Sequence, residues 1–119
     1  MLALSSSKPE EMCRPICEKF GFSGSMKTIV GSPPIGDWEK ADVIRETMRR
    51  LGLNDGDKPR ILMVGDRKFD VLGAKEAGVA SLAVGYGYGT RKELDACAPD
   101  MFASTVSELF GLLGVSRPR

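Results

Sequence analysis

Long hydrophobic runs are what the 119-residue chain most plainly lacks. A membrane-crossing helix needs ~20 predominantly apolar residues in succession, and no stretch approaches that, so a membrane-embedded protein is not expected. An excess of one charge is also missing. Seventeen basic residues stand against 16 acidic ones, with no basic run among them, which gives neither nucleic acid nor an anionic membrane surface a reason to bind. Cysteine is scarce: three residues, an odd number without zinc-finger spacing, fit reduced thiols better than a disulfide framework. Cys13 and Cys17, four apart on one helix face, are read as core or face-lining residues and are given no chemistry. Met1-Leu2-Ala3-Leu4 has neither the length nor the cleavage signature of a signal peptide, and the expected location is cytoplasmic. No internal repeat or low-complexity segment interrupts the chain. What remains is a composition near the globular average, 42% hydrophobic, enough for one domain with one core. Residues 1–114 are read as that domain and residues 115–119 as a frayed tail.

The most informative stretch runs from Arg60 to Gly89. Ile61-Leu62-Met63-Val64 is an apolar run too short for a helix, and it reads as a parallel strand buried on both faces. Asp66 then sits at the carboxyl end of that strand, the edge of an open α/β sheet where ligands bind. From Phe69 through Val71, Leu72 and Ala74 to Ala77 and Gly78 the apolar spacing is helical, so Asp70 lies one turn beyond Asp66. Two carboxylates facing one crevice suit a hard divalent cation such as Mg2+, which takes one or two carboxylates and completes its shell with water and substrate phosphate. The same pattern also describes an Asp that merely caps the next helix, and the four residues alone do not separate the two. Arg67 and Lys68 beside them either soften the carboxylates' repulsion or are solvated.

The rest of the chain alternates strands and helices. Leu2-Ala3-Leu4 reads as a short strand with Ser5, Ser6 and Ser7 at its end, followed by a helix that starts around Pro9, with Ser7 as a candidate cap, and closes at Gly21. Taken alone, the serines are helix-capping residues. Lys27 to Gly31 is a strand near the sheet edge, and Pro33 to Gly36 a loop. From Trp38 to Leu51, Ala41, Val43, Ile44, Met48 and Leu51 form one apolar stripe. Lys40 lies in the first turn of that helix, against the preference of the helix dipole, so it either meets an anion or is solvated. Leu53 to Pro59 is turn chemistry. Val79 to Val84 is the next strand; Gly85, Gly87 and Gly89 alternate with Tyr86 and Tyr88 in a loop free to take positive φ and approach a ligand. Their spacing is not a dinucleotide fingerprint. Thr90 caps a helix to Ala96 with Glu93 completing a capping box, Met101-Phe102-Ala103 is a last strand, and Ser104 or Thr105 caps a helix to Leu113. The pattern predicts a doubly wound, Rossmann-like α/β fold of about 4–5 parallel strands with helices on both faces.

The decamer Ile61 to Asp70, with Gly73-Ala74-Lys75-Glu76-Ala77-Gly78-Val79 and Val84-Gly85-Tyr86-Gly87-Tyr88-Gly89 after it, resembles the fourth motif and following strand of haloacid dehalogenase-like hydrolases, particularly their phosphoglycolate phosphatase-like branch. Leu2 to Pro9 resembles the second motif, with Ser6 at its phosphate-binding hydroxyl, and Lys40 in Lys-Ala-Asp-Val-Ile resembles the third-motif lysine. The paired prolines Pro33 and Pro34, and Ala96-Cys97-Ala98-Pro99-Asp100, depart from the family's usual pattern. The family's first motif, a strand ending in Asp-x-Asp-Gly-Thr, and the cap domain after it would precede Met1.

The resemblance implies Mg2+-dependent hydrolysis of a small-molecule phosphate ester, with Ser6 and Lys40 holding phosphoryl oxygens and Asp66 and Asp70 holding the metal. The nucleophilic Asp and the acid–base Asp have no counterpart. Asp55-Gly56-Asp57 spells a similar motif but follows a helix and precedes a strand, the wrong edge of the sheet. The expectation is therefore a core domain without its central strand, carrying the binding half of a phosphatase site and having little turnover alone, so that whether these residues by themselves form an enzyme stays open. Without that strand, either its two flanking strands close up in the order 2-1-3-4 or their bare edges recruit another chain, a second copy or the missing N-terminal segment. The alternative is a non-catalytic α/β binding module, a degenerate phosphatase or a receiver-like domain with Asp66 as phosphate acceptor, although a receiver wants an acidic pair where this chain has serines. Dehalogenation, which also needs the missing Asp, ranks last. Substrate identity is left to the cap, and phosphoglycolate and nucleoside monophosphates are both compatible.

Overall fold

Among the described residues each strand is followed along the chain by a helix. In a computed structural model, which describes residues 1–21 and 23–114, the order is β1 (Leu4–Pro9), α1 (Glu10–Lys19), β2 (Ile29–Ser32), α2 (Lys40–Arg50), β3 (Leu62–Gly65), α3 (Lys68–Ala77), β4 (Ala80–Val84), α4 (Arg91–Ala96), β5 (Met101–Ala103) and α5 (Val106–Leu113). Short 3-10 turns lie at Ser23–Ser25 and Asp55–Arg60. All strand pairs are parallel, as crossover connections through helices require, and the fold is α/β as the alternation predicts. The tail 115–119 lies outside the described residues. The chain divides into two compact units, Met1–Lys58 and Pro59–Arg119.

In the first unit β1 pairs with β2, Leu4 opposite Ile29 and Ser5 opposite Val30, before the register breaks and resumes at Pro9 and Ser32. The serines expected just beyond the strand are thus part of β1. The N-cap of α1 is Pro9, with no side-chain cap bond, so Ser7 is not the cap; its carbonyl instead accepts a bond from Ser32 Oγ at 2.8 Å. Pro15 removes one amide from the interior of α1. The helix is held on its inner face by Cys13 and Cys17, 2% and 1% exposed, which pack with Ile29, Leu4 and Met26. Helix α2 buries Ala41, Val43, Ile44, Thr47 and Met48, the stripe read from the sequence with Leu51 displaced to the C-cap.

In the second unit β4 is the middle strand, with β3 on one side and β5 on the other. Its side chains alternate between faces as strand geometry demands. Ala83 packs with Val71 of α3 and Leu94 of α4, whereas Leu82 and Val84 pack with Ala103 and, less buried, Leu62, Met101 and Leu109 of α5. Helices therefore cover both faces. Burial on both faces was expected of the Ile61–Val64 strand, but β4 is the strand that has it. On β3, Val64 is 39% exposed, because an edge position gives a strand a neighbour on one side only. The order 2-1-3-4 is not formed: β1 and β3 belong to separate sheets. Strand β1 pairs regularly only over Leu4 and Ser5 before its break, a short ladder on which to build another strand.

Candidate functional site

Gly65 ends β3, Arg67 takes an extended conformation as the N-cap of α3, and Asp70 is the third residue of the helix. Asp70 is 8% exposed, and its Oδ2 accepts a bond from the Arg67 amide at 3.2 Å. It lies so close on β3 that a Cβ at Gly65 would collide with its side chain, so the glycine is required by the carboxylate. The capping role considered for these residues falls to Asp70. Asp66 precedes the cap and has another partner: its Oδ2 accepts a bond from the Tyr88 amide at 2.9 Å.

The loop after β4 is shaped around Asp66. A Cβ at Gly87 would strike the Asp66 side chain and one at Gly89 the Asp66 carbonyl oxygen, while Gly85 lies against Phe102, whose Cζ would be 2.7 Å from an added Cβ. None of the three has positive φ; the glycines that do are Gly21, Gly36, Gly52, Gly78 and Gly114. Close approach, rather than left-handed backbone, is what excludes side chains from this loop. Tyr88 contributes its amide and leaves its side chain 94% exposed.

Of the two neighbouring cations, Arg67 is engaged through its side chain, whereas Lys68 is exposed and contributes its backbone amide. Arg67 makes a forked pair with Glu93, Nε to Oε2 at 3.0 Å and Nη2 to Oε1 at 3.2 Å, and the Lys68 amide donates to the same Oε2 at 3.0 Å. Those bonds hold the Glu93 carboxyl below the usual carboxylate range. Glu93's carboxylate in turn raises the Arg67 guanidinium above its usual range, and the charges of Asp66 and Asp70 add to the effect. The expected capping box of α4 is accordingly half made. Thr90 Oγ1 accepts from the Glu93 amide at 3.0 Å, while the Glu93 side chain has turned to Arg67. Composition shows a good cap at Thr90-x-x-Glu93 but not a partner 26 residues away.

The first unit places Ser6 on β1, its Oγ accepting from the Lys8 amide at 3.1 Å. Lys40, the first residue of α2, reaches back to donate to the Ser5 carbonyl at 3.2 Å. Its ammonium thus stands at the backbone beside Ser6, with the Ser5 carbonyl oxygen among its partners. Ser5 and Thr47 share a hydroxyl bond at 2.7 Å, and Thr47 also donates to the Val43 carbonyl at 2.8 Å, which ties β1 to α2. Asp55 and Asp57 lie on the 3-10 turn. There Asp57 accepts from the Asn54 amide at 2.9 Å and Asp55 pairs with Lys58 at 3.2 Å, turn contacts that agree with leaving them out of the site.

Chemically, one unit presents a hydroxyl and an ammonium, both donors to phosphoryl oxygens, and the other presents two carboxylates. The chain has no histidine, so imidazole is excluded as base or ligand. Among the described residues no cluster of three or more His, Cys, Asp or Glu could hold a metal. A carboxylate pair of hard oxygens fits Mg2+, which needs no more from a protein than this, and suits softer ions poorly.

The sequence profile of the HAD-hydrolase-like family matches residues 39–109. A 5'-nucleotidase of Pseudomonas aeruginosa is 37% identical over 109 residues, covering 91% of this chain and 48% of the nucleotidase. A phosphoglycolate phosphatase of Vibrio parahaemolyticus is 30% identical over 115 residues, 97% of this chain and 50% of that protein. The solved structure of protein tyrosine kinase A (PtkA) of Mycobacterium tuberculosis matches with a TM-score of 0.76 at 34% identity, over 96% of this chain and 53% of the kinase chain. The chain thus spans about half the length of the curated relatives it matches. On these matches, and on parallel strands flanked by helices that the solved relative shares, the chain belongs to the haloacid dehalogenase-like hydrolase family.

Proposed function

We propose that these residues form the phosphate- and metal-binding half of a Mg2+-dependent phosphomonoester hydrolase of the phosphoglycolate phosphatase-like branch, acting on a small-molecule phosphate ester. The observation that supports it most is the clasp on Asp66. A carboxylate at a strand's carboxyl end is fixed by the Tyr88 amide and by glycines that leave room for nothing else, which is preorganisation beyond what a helix cap needs. Asp66 and Asp70 would hold Mg2+, whose bound form neutralises phosphoryl charge. Ser6 and Lys40 donate to phosphoryl oxygens and orient the ester. The three thiols, Cys13, Cys17 and Cys97, are free and suit the cytoplasm.

Among the described residues no second aspartate ends a strand where it could attack phosphorus, so the polypeptide of these residues alone is expected to bind Mg2+ and to hydrolyse p-nitrophenyl phosphate no faster than a blank. Calorimetric titration with Mg2+ tests the first half, with Asp66→Asn expected to abolish the heat of binding. Robust hydrolysis by these residues, lost on Asp66→Asn, would overturn the second half. A non-catalytic binding module remains the alternative. The similarity to a protein tyrosine kinase supports a further reading, phosphoryl transfer to a protein hydroxyl. Incubation with radiolabelled ATP and Mg2+ separates it, since only transfer to a protein hydroxyl leaves label that survives hydroxylamine, which strips an aspartyl phosphate.

A further inference from the structure

At Tyr88 the fold asks for an amide and nothing more. The Tyr88 N–H donates to Asp66 Oδ2 at 2.9 Å, and any residue except proline would supply it. Gly87 and Gly89 on either side are forced by contact, since a Cβ at either would strike Asp66. Tyr88 is under no such restriction, and there the chain places a large ring, 94% exposed. A lone exposed apolar side chain is ordinary on a protein surface, but the position of this one is not. One N–Cα bond beyond the 2.9 Å contact, the Tyr88 Cα lies no more than about 4.4 Å from the Asp66 carboxylate oxygen. Two other rings of the same unit are committed. Phe69 has Arg67 Cζ 5.2 Å and Lys68 Nζ 5.4 Å from its centre, and Phe102 has Arg91 Cζ at 3.7 Å and packs on Val71, Ala83 and Leu94. Among the described residues the Tyr88 side chain has neither a ring contact nor a hydrogen bond.

We infer that Tyr88 is a specificity-determining residue: it stacks on a flat unsaturated ring in the organic part of the ester, so that the substrate class is a phosphate monoester bearing a nucleobase or a comparable aromatic group. The inference rests on the reading of Asp66 and Asp70 as Mg2+ ligands for such an ester. A phenol ring suits the task. Its backbone is fixed by the bond to Asp66, it has two χ angles to order, and it offers a flat apolar face with a polar tip that stays in water. Stacking on an aromatic side chain tolerates any base, because every base has a π-face.

The test is calorimetric titration of the full chain, with Mg2+ present, by adenosine 5'-monophosphate and by ribose 5-phosphate, the same ester without its base. The wild type is expected to bind the nucleotide about tenfold more tightly than the sugar phosphate, the lower part of the range for a base stacked on an aromatic ring. Tyr88→Ala keeps the amide and is expected to lose that preference while binding ribose 5-phosphate within about twofold of the wild type. Tyr88→Phe is expected to retain the preference, and circular dichroism melts of both variants to overlay the wild type, since the ring they alter is exposed. A side chain with only a structural role would weaken both esters together. Equal affinity of the wild type for the two esters, a preference that survives in Tyr88→Ala, or an equal loss of both overturns the inference, while ribose 5-phosphate binding abolished by Asp66→Asn keeps the phosphate and metal reading in place. No binding of either ester by the wild-type chain overturns both.

Discussion

The two units build their site groups with opposite backbone polarity. In Met1–Lys58 the candidate cation is steadied by a carbonyl, Lys40 on the Ser5 oxygen. In Pro59–Arg119 the candidate anions are steadied by amides, Asp66 by Tyr88 and Asp70 by Arg67. Each choice follows from the charge being oriented, because an ammonium can only donate and an ionised carboxylate can only accept. The glycines sharpen the contrast. Gly31 of β2 lets backbone approach backbone, since an added Cβ would meet the main chain of Lys8 and Glu10. Gly65 and Gly87 let backbone approach the two carboxylates. Close packing in the first unit serves the sheet and its helix, and in the second it serves the acidic pair.

The contrast breaks most visibly at those glycines. Gly31→Ala and Gly65→Ala are each expected to cost about 3 kcal/mol in urea unfolding, the upper part of the range for overpacking. Only Gly65→Ala should also weaken Mg2+ binding, and a loss of Mg2+ affinity in Gly31→Ala of equal size would erase the distinction. Next comes the hydroxyl tie of the first unit. Thr47, 7% exposed, bonds Ser5, and Thr47→Val leaves that hydroxyl without its partner at a cost of about 1.5 kcal/mol. The same melt should show no change in Mg2+ affinity.

Caps give a smaller effect. In the second unit Thr90 and Thr105 cap α4 and α5 through bonds to the Glu93 and Glu108 amides, and alanine at either is expected to lower stability by about 1 kcal/mol. In the first unit α1 has no side-chain cap bond, and Ser7→Ala should leave the melting temperature where it is. The smallest effect is one of pH. Bonds from Arg49 and Arg50 hold Glu46 of α2 down at about 2. A depressed carboxylate stabilises above its unfolded value and stops doing so as pH falls from about 4.5 toward 2. Glu46→Gln should therefore cost the first unit a little stability at neutral pH and flatten its acid limb between those values, the difference vanishing toward pH 2, which denaturation at stepped pH would show.

Much of the fold could be read from the chain because it is written locally. The Met101–Ala103 strand, the cap at Ser104 or Thr105 and the α2 stripe depend on neighbours within one or two turns, and all three are present, with Thr105 as the cap and Leu51 outside the buried stripe. The bounds of β1 were harder, since three serines end a strand or continue one with equal ease. The capping box at Thr90 misled for a related reason: Glu93 can complete the cap or meet Arg67, and a forked ion pair outcompetes a single bond to an amide.

Sequence by itself determined the α/β alternation, the placing of Asp66 at a strand's carboxyl end and of Lys40 in a helix's first turn, and the family to which these belong, because hydrophobic period and short motifs are properties of consecutive residues. Only the tertiary structure decided that β4 rather than β3 is the buried strand, that β1 and β3 lie in separate sheets, that the glycine loop closes on Asp66, and that Glu93 meets Arg67. Those outcomes depend on which groups meet across 20 or more residues of chain, as Asp66 and Tyr88 do over 22 and Arg67 and Glu93 over 26, and no local pattern encodes a distant partner.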